Sequence, residues 1–339
     1  LSVPSPFPTI TSALDAASSG DTVLVAPGTY LERLEMTNGV VLRGSDLANP
    51  PVVDAQASGV AITVTNCGPS TQVKDFIFRN GIGNGFGGGA RIAGSSLTMQ
   101  RCRFEDNAAL HGGGVGGDGA FFLNECIFEG NHATDTGGAV AVTDLPSPTI
   151  VSCRMSSNTA SSGGAIAVRN GCIPLIQTTI LDENTADQGA AIWWDFLAGG
   201  TIELCTIVEN TALAIQGGAL SCSPLSTPVI NRTILAFSAG GGAANIAPGS
   251  SATFGCNDIF GNTGGNSIAG GIDLGTNISL DPLFCDAAND DYSLQASSPC
   301  LIAGDCGLIG AVGAGACGAS AANSPLELLT WGALKARYR

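Results

Sequence analysis

Residues 101–114 read RCRFEDNAALHGGG, 125–140 ECIFEGNHATDTGGAV, 152–166 SCRMSSNTASSGGAI, 178–192 TTILDENTADQGAAI and 204–220 LCTIVENTALAIQGGAL. One asparagine keys all five lines: Asn107, Asn131, Asn158, Asn184 and Asn210, in steps of 24, 27, 26 and 26 residues. Asn80 lies 27 residues upstream of Asn107, and weaker copies follow at Phe237 and Asn262. A fixed period of this size marks a solenoid.

The columns identify which solenoid. Eight residues before the asparagine stand Met99, Leu123, Ile150, Ile176 and Ile202. Three before it stand Phe104, Phe128, Met155, Leu181 and Ile207. Five before it come Cys102, Cys126, Cys153, Thr179 and Cys205. Positions three and five before the key residue share a face by strand periodicity, and the shift of three between the other columns requires a bend. Each line is thus two or three short strands with turns between them and no room for a helix. Stacked at ~4.8 Å, such lines make a parallel β-helix. Asn tolerates the left-handed backbone region, which suits a sharp corner, and stacked amides can hydrogen-bond along the axis. The glycines of Gly137–Ala139, Gly163–Ala165 and Gly217–Ala219 supply a second tight corner.

The GGA-[ILV] and F-x-x-N pairing (Phe104–Asn107, Phe128–Asn131) resembles the repeat of the polymorphic outer-membrane protein family. More broadly, residues 80–262 are similar to the right-handed parallel β-helix proteins grouped with pectate lyases. The outer-membrane family ends in a membrane β-barrel, for which this sequence shows no counterpart. The resemblance implies fold and leaves function open. It also implies where chemistry would sit: lytic β-helices gather acids for calcium beside an Arg or Lys on one outer face, and hydrolytic ones use close acid pairs.

Ahead of the repeats, residues 9–17 form an amphipathic helix with Ile10, Leu14 and Ala17 inward, similar to the N-terminal segment of pectate-lyase-like and pectin-esterase-like β-helices. The chain divides into an N-terminal cap (1–20), a β-helix (21–300), a Cys/Gly-rich C-terminal cap (301–322) and a basic tail (323–339). The expected fold is therefore all-β, a right-handed parallel β-helix with a short capping helix and a disulfide-bearing C-terminal cap.

Only 12% of the 339 residues are charged, against ~25% in typical chains, and the net charge is −15. That balance argues against nucleic acid or an anionic membrane surface as partner. No apolar run approaches the ~18 residues of a transmembrane segment. Twelve cysteines without a C-x-x-C pair point to an oxidising compartment and away from zinc. With a start at Leu-Ser-Val and no leader, the chain reads as a mature secreted bacterial protein, extracellular or at the cell surface. Cys285, Cys300, Cys306 and Cys317 are placed to close two local bridges. Cys102, Cys126 and Cys153 either fill the core or bridge with Cys67, Cys172 or Cys222; Cys205 and Cys256 complete the set of candidates. Trp331, Lys335, Arg337, Tyr338 and Arg339 form a candidate assembly tail, similar to the Trp-Gly, basic-ended tails of other secreted bacterial repeat proteins.

Glu105, Asp106, Glu129, Asp182, Glu183 and Glu209 make a loose outward ladder, interrupted by Ser156 and Ser157, with Arg103 and Arg154 beside it. Coil spacing would allow a calcium site or an acid pair there, although the sequence favours a solvated acidic face. His111 and His132 fall near one turn of adjacent coils. Trp193 and Trp194 are candidate carbohydrate or partner contacts, because one ring of the pair must face outward from a strand. Asn231-Arg232-Thr233 and Asn277-Ile278-Ser279 are formal glycosylation sequons. With no convergent catalytic set, no metal site and no required cofactor, the sequence favours a non-enzymatic structural or adhesive rod that self-associates head-to-tail. The alternative is a polysaccharide lyase, hydrolase or carbohydrate-binding β-helix, with a groove where the ladder meets Arg103 or Arg154.

Overall fold

Each central repeat spends its residues on four short strands, and the computed structural model, which describes residues 1–144, 147–214 and 217–317, shows how they stack. One coil runs through Ser96–Gln100 (sheet 1), Arg103–Glu105 (sheet 2), Ala108–His111 (sheet 3) and Val115–Gly117 (sheet 4). Sheets 1 to 4 contain twelve, ten, six and ten strands, about ten turns in all. Every strand in them pairs in parallel with its counterparts on neighbouring coils. This is the right-handed β-solenoid that the spacing implies.

The inward columns are those the period marks. Phe78, Phe104 and Phe128 stack in sheet 2 with ring centroids 5.5 and 4.9 Å apart, and Met155, Leu181 and Ile207 continue the file, fully buried. Such ring pairs add ~0.5–1.5 kcal/mol each beyond the area they bury.

The corners differ from expectation in an instructive way. The left-handed residue between sheets 2 and 3 is the one before the asparagine: Asp106, Ser157, Glu183 and Glu209 have φ of 51°, 57°, 55° and 56°. The asparagine itself acts through its amide. Asn131 Oδ1 accepts from Asn107 N and Nδ2 at 3.1 and 3.0 Å, while Asn131 Nδ2 donates to Phe104 O at 2.9 Å; the pattern repeats to Asn210. Two members of the expected column are displaced by one residue. Register places Gly81, not Asn80, opposite Asn107, so Asn80 takes the left-handed position and donates to Asp54. Likewise Ser238, not Phe237, follows Asn210, and Ser238 N donates to Asn262 Oδ1.

A second ladder went unread in the sequence. At the corner from sheet 1 to sheet 2, Cys102, Cys126, Cys153 and Cys205 each donate Sγ–H to the carbonyl two residues back and to one on the preceding coil. Thr179 and Asn257 do the same work by hydroxyl and amide. These cysteines are buried and unbridged, as are Cys67, Cys172, Cys222 and Cys300. In this structure none of them bridges with Cys67, Cys172 or Cys222; they lie in the core, each with a hydrogen bond added.

The helix Ile10–Ala16, capped by Thr9 and Ser12, buries Ile10, Ala13 and Leu14 on the first coil. The basic tail, with Trp331, Lys335, Arg337, Tyr338 and Arg339, lies outside the described residues.

Candidate functional site

In sheet 2 the middle residue of each strand points inward, so the first and third residues build the outer face. On the early coils that face is a ladder of ion pairs. Arg79 Nε donates to Asp54 at 2.9 Å, Arg103 reaches Glu129 at 2.5 Å and also pairs with Glu105, and at the corner leading into the sheet Arg101 meets Asp75 at 2.7 Å. On the later coils the same columns turn apolar: Ile180, Val208, Ile234 and Ala236.

The segment 280–317 covers that apolar half. It folds back along the flank of the solenoid, away from an end-on lid. Phe284, Tyr292, Leu294 and Ile309 pack on the four aliphatic residues. Ala311 N donates to Thr206 Oγ1 at 3.0 Å and Gly310 N to Arg232 O at 2.9 Å. Its antiparallel hairpin is Phe284–Asp286 with Asp291–Leu294. Two disulfides fasten it, Cys285–Cys317 and Cys256–Cys306. The second corrects the local pairing expected of the last four cysteines: Cys306 bridges back to a coil corner, and Cys300 stays a buried thiol that donates to Asp258 Oδ2 at 3.1 Å. A closed loop of 50 residues is worth ~4 kcal/mol in the chain-entropy account.

The candidate site lies where the cover stops. Arg154 grips Asp182 with two hydrogen bonds, Nε to Oδ1 at 3.1 Å and Nη2 to Oδ2 at 2.5 Å, and Nη2 lies 3.3 Å from Asp290 Oδ1. Ser156 Oγ donates to Asp182 Oδ2 at 3.1 Å, so the serine that interrupts the ladder in sequence serves it in space. The Tyr292 ring sits 5.5 Å from the Arg154 guanidinium carbon, and its hydroxyl donates to Glu209 Oε2 at 3.3 Å. Asp182, Glu183 and Asp290 each offer a carboxylate oxygen within 4.8 Å of the others. Arg154 and Asp182 are buried, at 5% and 0% exposure, whereas Glu183 is exposed and Asp290 half-buried.

Four carboxylates thus surround one guanidinium, counting Glu209. Burial pushes the Asp182 carboxyl up to about 6 against the pull of Arg154. Burial also raises Glu209, with Glu183 and Asp290 adding repulsion. Groups poised in this way can exchange protons near neutral pH, and hard oxygen ligands in excess of positive charge suit a divalent cation.

Other expected site residues go elsewhere. His111 and His132 lie at opposite ends of their strands; His111 Nδ1 bonds Thr136 Oγ1 at 2.9 Å and His132 Nδ1 bonds Thr159 Oγ1 at 2.8 Å. Trp194 is core, its Nε1 donating to Gly199 O, so only the half-buried Trp193 can meet a ligand. In the second sequon Asn277 is a rung, its Nδ2 donating to Phe254 O at 3.0 Å, which removes it as an attachment point. Asp290 and Tyr292 were missed altogether. Only the side-chain types of 286-DAANDDY carried any signal, and nothing local tells where that segment lands.

A family model described as the right handed beta helix region matches residues 58–279. No curated protein matches the sequence. Among solved structures, pectate lyase Pel9A is similar at a TM-score of 0.60 and 13% identity, over 90% of this chain and 91% of that one. An alginate lyase from Paenibacillus sp. str. FPU-7 is similar at 0.41 and 12%, over 79% and 96% of the two chains. A pectin methylesterase from Yersinia enterocolitica is similar at 0.36 and 11%, over 79% and 94%. The expectation of a protein without enzymatic role is corrected here: the solved fold that this chain matches along nine-tenths of its length is an enzyme's. Among the described residues no helix is long and apolar enough to cross a membrane.

Proposed function

The chain belongs to the right-handed beta helix family, and from that premise we propose that it is a carbohydrate-active enzyme working on an acidic, uronate-type polysaccharide laid across the outer face of sheet 2. The observation that carries this reading is the Asp182–Glu183–Asp290 group beside Arg154, at the step between the open ladder and the covered half. The neighbour with the same fold over most of its length is a pectate lyase, which supports the substrate class. The reading also treats the F-x-x-N and GGA repeat as kin to that of the polymorphic outer-membrane proteins. It places the chain outside the cell, where its two disulfides form.

An acidic polymer on an acidic face needs a cation between them. The donor set fits calcium: three carboxylates with mutually close oxygens, and four acids against one guanidinium. When bound, the ion would neutralise the sugar carboxylate. The chain's own groups divide the remaining work by exposure. Glu183 and Asp290 reach solvent and meet ion or substrate; Asp182, Ser156 and Tyr292 fix Arg154 in place; Glu209, its carboxyl raised by burial and bonded by the Tyr292 hydroxyl, is the candidate proton carrier.

The test is cleavage of polygalacturonate and alginate, read both as new reducing ends and as unsaturated-uronate absorbance. Activity should require calcium, stop with EDTA, and fall at least tenfold in Glu183→Gln, at an exposed position, and in the isosteric Asp290→Asn, at a half-buried one, with the melting temperature of both followed to separate loss of site from loss of fold. Absorbance together with reducing ends assigns a lyase, and reducing ends alone assign a hydrolase. Cleavage indifferent to EDTA and to both variants, or no cleavage of either polymer, overturns the reading.

A further inference from the structure

On the far side of the solenoid, sheet 4 carries a gap in its outer surface. The outward column there runs Arg91, Gly116, Ala141, Ala167, Trp193, in register on successive coils. The coil at 115–117 reads Val-Gly-Gly and lends no side chain to the surface. The glycines are sterically required: a Cβ on Gly117 would lie 1.7 Å from Ile92 O, and one on Gly116 2.6 Å from Gly87 N. Beside this stretch is a cavity of about 150 Å³, lined by Phe86, Arg91, Gly117, Asp118, Thr143 and Asp144 among others. It is smaller than the roughly 300–1,000 Å³ pockets of drug-sized ligands, so its occupant is about one ring in size.

The lining has the makeup of a polyol site. Phe86 offers an aromatic ring, itself held by the His111 ring at 4.9 Å. His111 is in turn fixed by Thr136 and by Arg169, whose Nη1 lies 3.2 Å from His111 Nδ1. Arg169 reaches that point across the sheet and lies 3.8 Å from Asp195, so a polar network backs the aromatic wall. Arg91 is exposed and, among the described residues, makes no ion pair, although the chain carries a net −15. Asp118 Oδ1 accepts from Gly94 N at 2.8 Å, which fixes the carboxylate and leaves Oδ2 to accept from a ligand. Asp144 accepts from Thr143 Oγ1 at 3.1 Å, and Thr143 Oγ1 accepts from Asn170 Nδ2 at 3.0 Å.

We propose that this cavity is a binding site for one neutral sugar unit, stacked on Phe86 and hydrogen-bonded by Arg91, Asp118 and Asp144. Two carboxylates against one guanidinium repel an anionic sugar or a phosphate. Fixed acceptors beside a forked donor match neighbouring hydroxyls, which both give and accept hydrogen bonds. The site lies on a different face from the carboxylate group of sheet 2 and does not depend on the function proposed for it. It would hold the protein on a glycan whatever that other face does.

The test is calorimetric titration of the full chain with neutral tetrasaccharides of glucose, galactose, mannose and xylose, and with a uronate tetrasaccharide as the opposing probe. At least one neutral probe should bind in a 1:1 complex, and both Arg91→Ala and Phe86→Ala should weaken it tenfold or more with an unchanged melting temperature. Glu183→Gln should bind the neutral probe as wild type does, which separates this site from sheet 2. Binding of the uronate alone, binding untouched by Arg91→Ala and Phe86→Ala, or no binding of any neutral probe overturns the proposal.

Discussion

The two halves of sheet 2 share an inner column and differ in how their outer faces are finished. Coils with Phe104 and Phe128 inside carry Arg103, Glu105 and Glu129 outside, whereas coils with Leu181, Ile207 and Leu235 inside carry Ile180, Val208 and Ala236. The first half is finished by water and by pairing between rungs. The second is finished by the 280–317 segment, which brings Phe284, Tyr292 and Ile309 to it. The inner column therefore dictates that a coil forms, and the outer columns dictate what that coil is for. At the step between the halves the buried Arg154–Asp182 pair stands beside the exposed Glu183, and the candidate site occupies it.

Separating the cover from the solenoid gives the largest effect. Tyr292→Ala removes the ring between Arg154 and Phe284 and leaves a buried void, at a cost of ~3–5 kcal/mol. Urea unfolding should show that loss, and amide exchange should speed up over 234–236 while 103–105 stays as protected as in wild type. Equal acceleration in both halves would mean that the cover supports the whole solenoid.

Acidity should pull the halves in opposite directions with a smaller effect. In the covered half Asp182 and Asp258 are raised by burial from 3.8 to about 6, so the folded state binds protons more tightly than the unfolded chain. Their contribution is fully present below about 4 and lost as pH rises toward 6, by ~3 kcal/mol for a group as buried as Asp182. In the open half Asp54 is held low by Asn80, by Gln56 N and by Arg79, in spite of partial burial. Its contribution is present above the ordinary carboxylate range and lost as pH falls. Exchange should show 234–236 weakening as pH rises from 4 to 7 while 77–79 stays level there and weakens only as pH falls below about 4; a common trend in both halves would contradict these assignments.

The repeat was legible because hydrogen-bonding rungs and inward columns need particular side chains at fixed steps. Asn107 to Asn210 and Phe104 to Ile207 announce themselves. The left-handed corner did not, since Asp106, Ser157 and Glu209 occupy it without any shared chemistry, and that blurred Asn80 and Phe237 by one residue. The cysteine column suggests core filling or bridging and no more, because an Sγ–H bond to a carbonyl leaves no trace in composition. Half of the candidate site was visible as Asp182, Glu183 and Arg154. The other half was hidden because Asp290 meets Arg154 across 136 residues of chain, a contact set by where the cover lands. The sheet 4 cavity gathers Phe86, Arg91, Asp118 and Asp144 from separate coils, a grouping that no local pattern in the sequence marks.

The most direct measurement is an amide-exchange footprint of the full chain with calcium and a uronate oligosaccharide. Protection should appear at 127–130, 154–157, 180–184 and 288–292, on both sides of the step, and should vanish with EDTA. Protection confined to another face, or none at saturating oligosaccharide, would contradict the account.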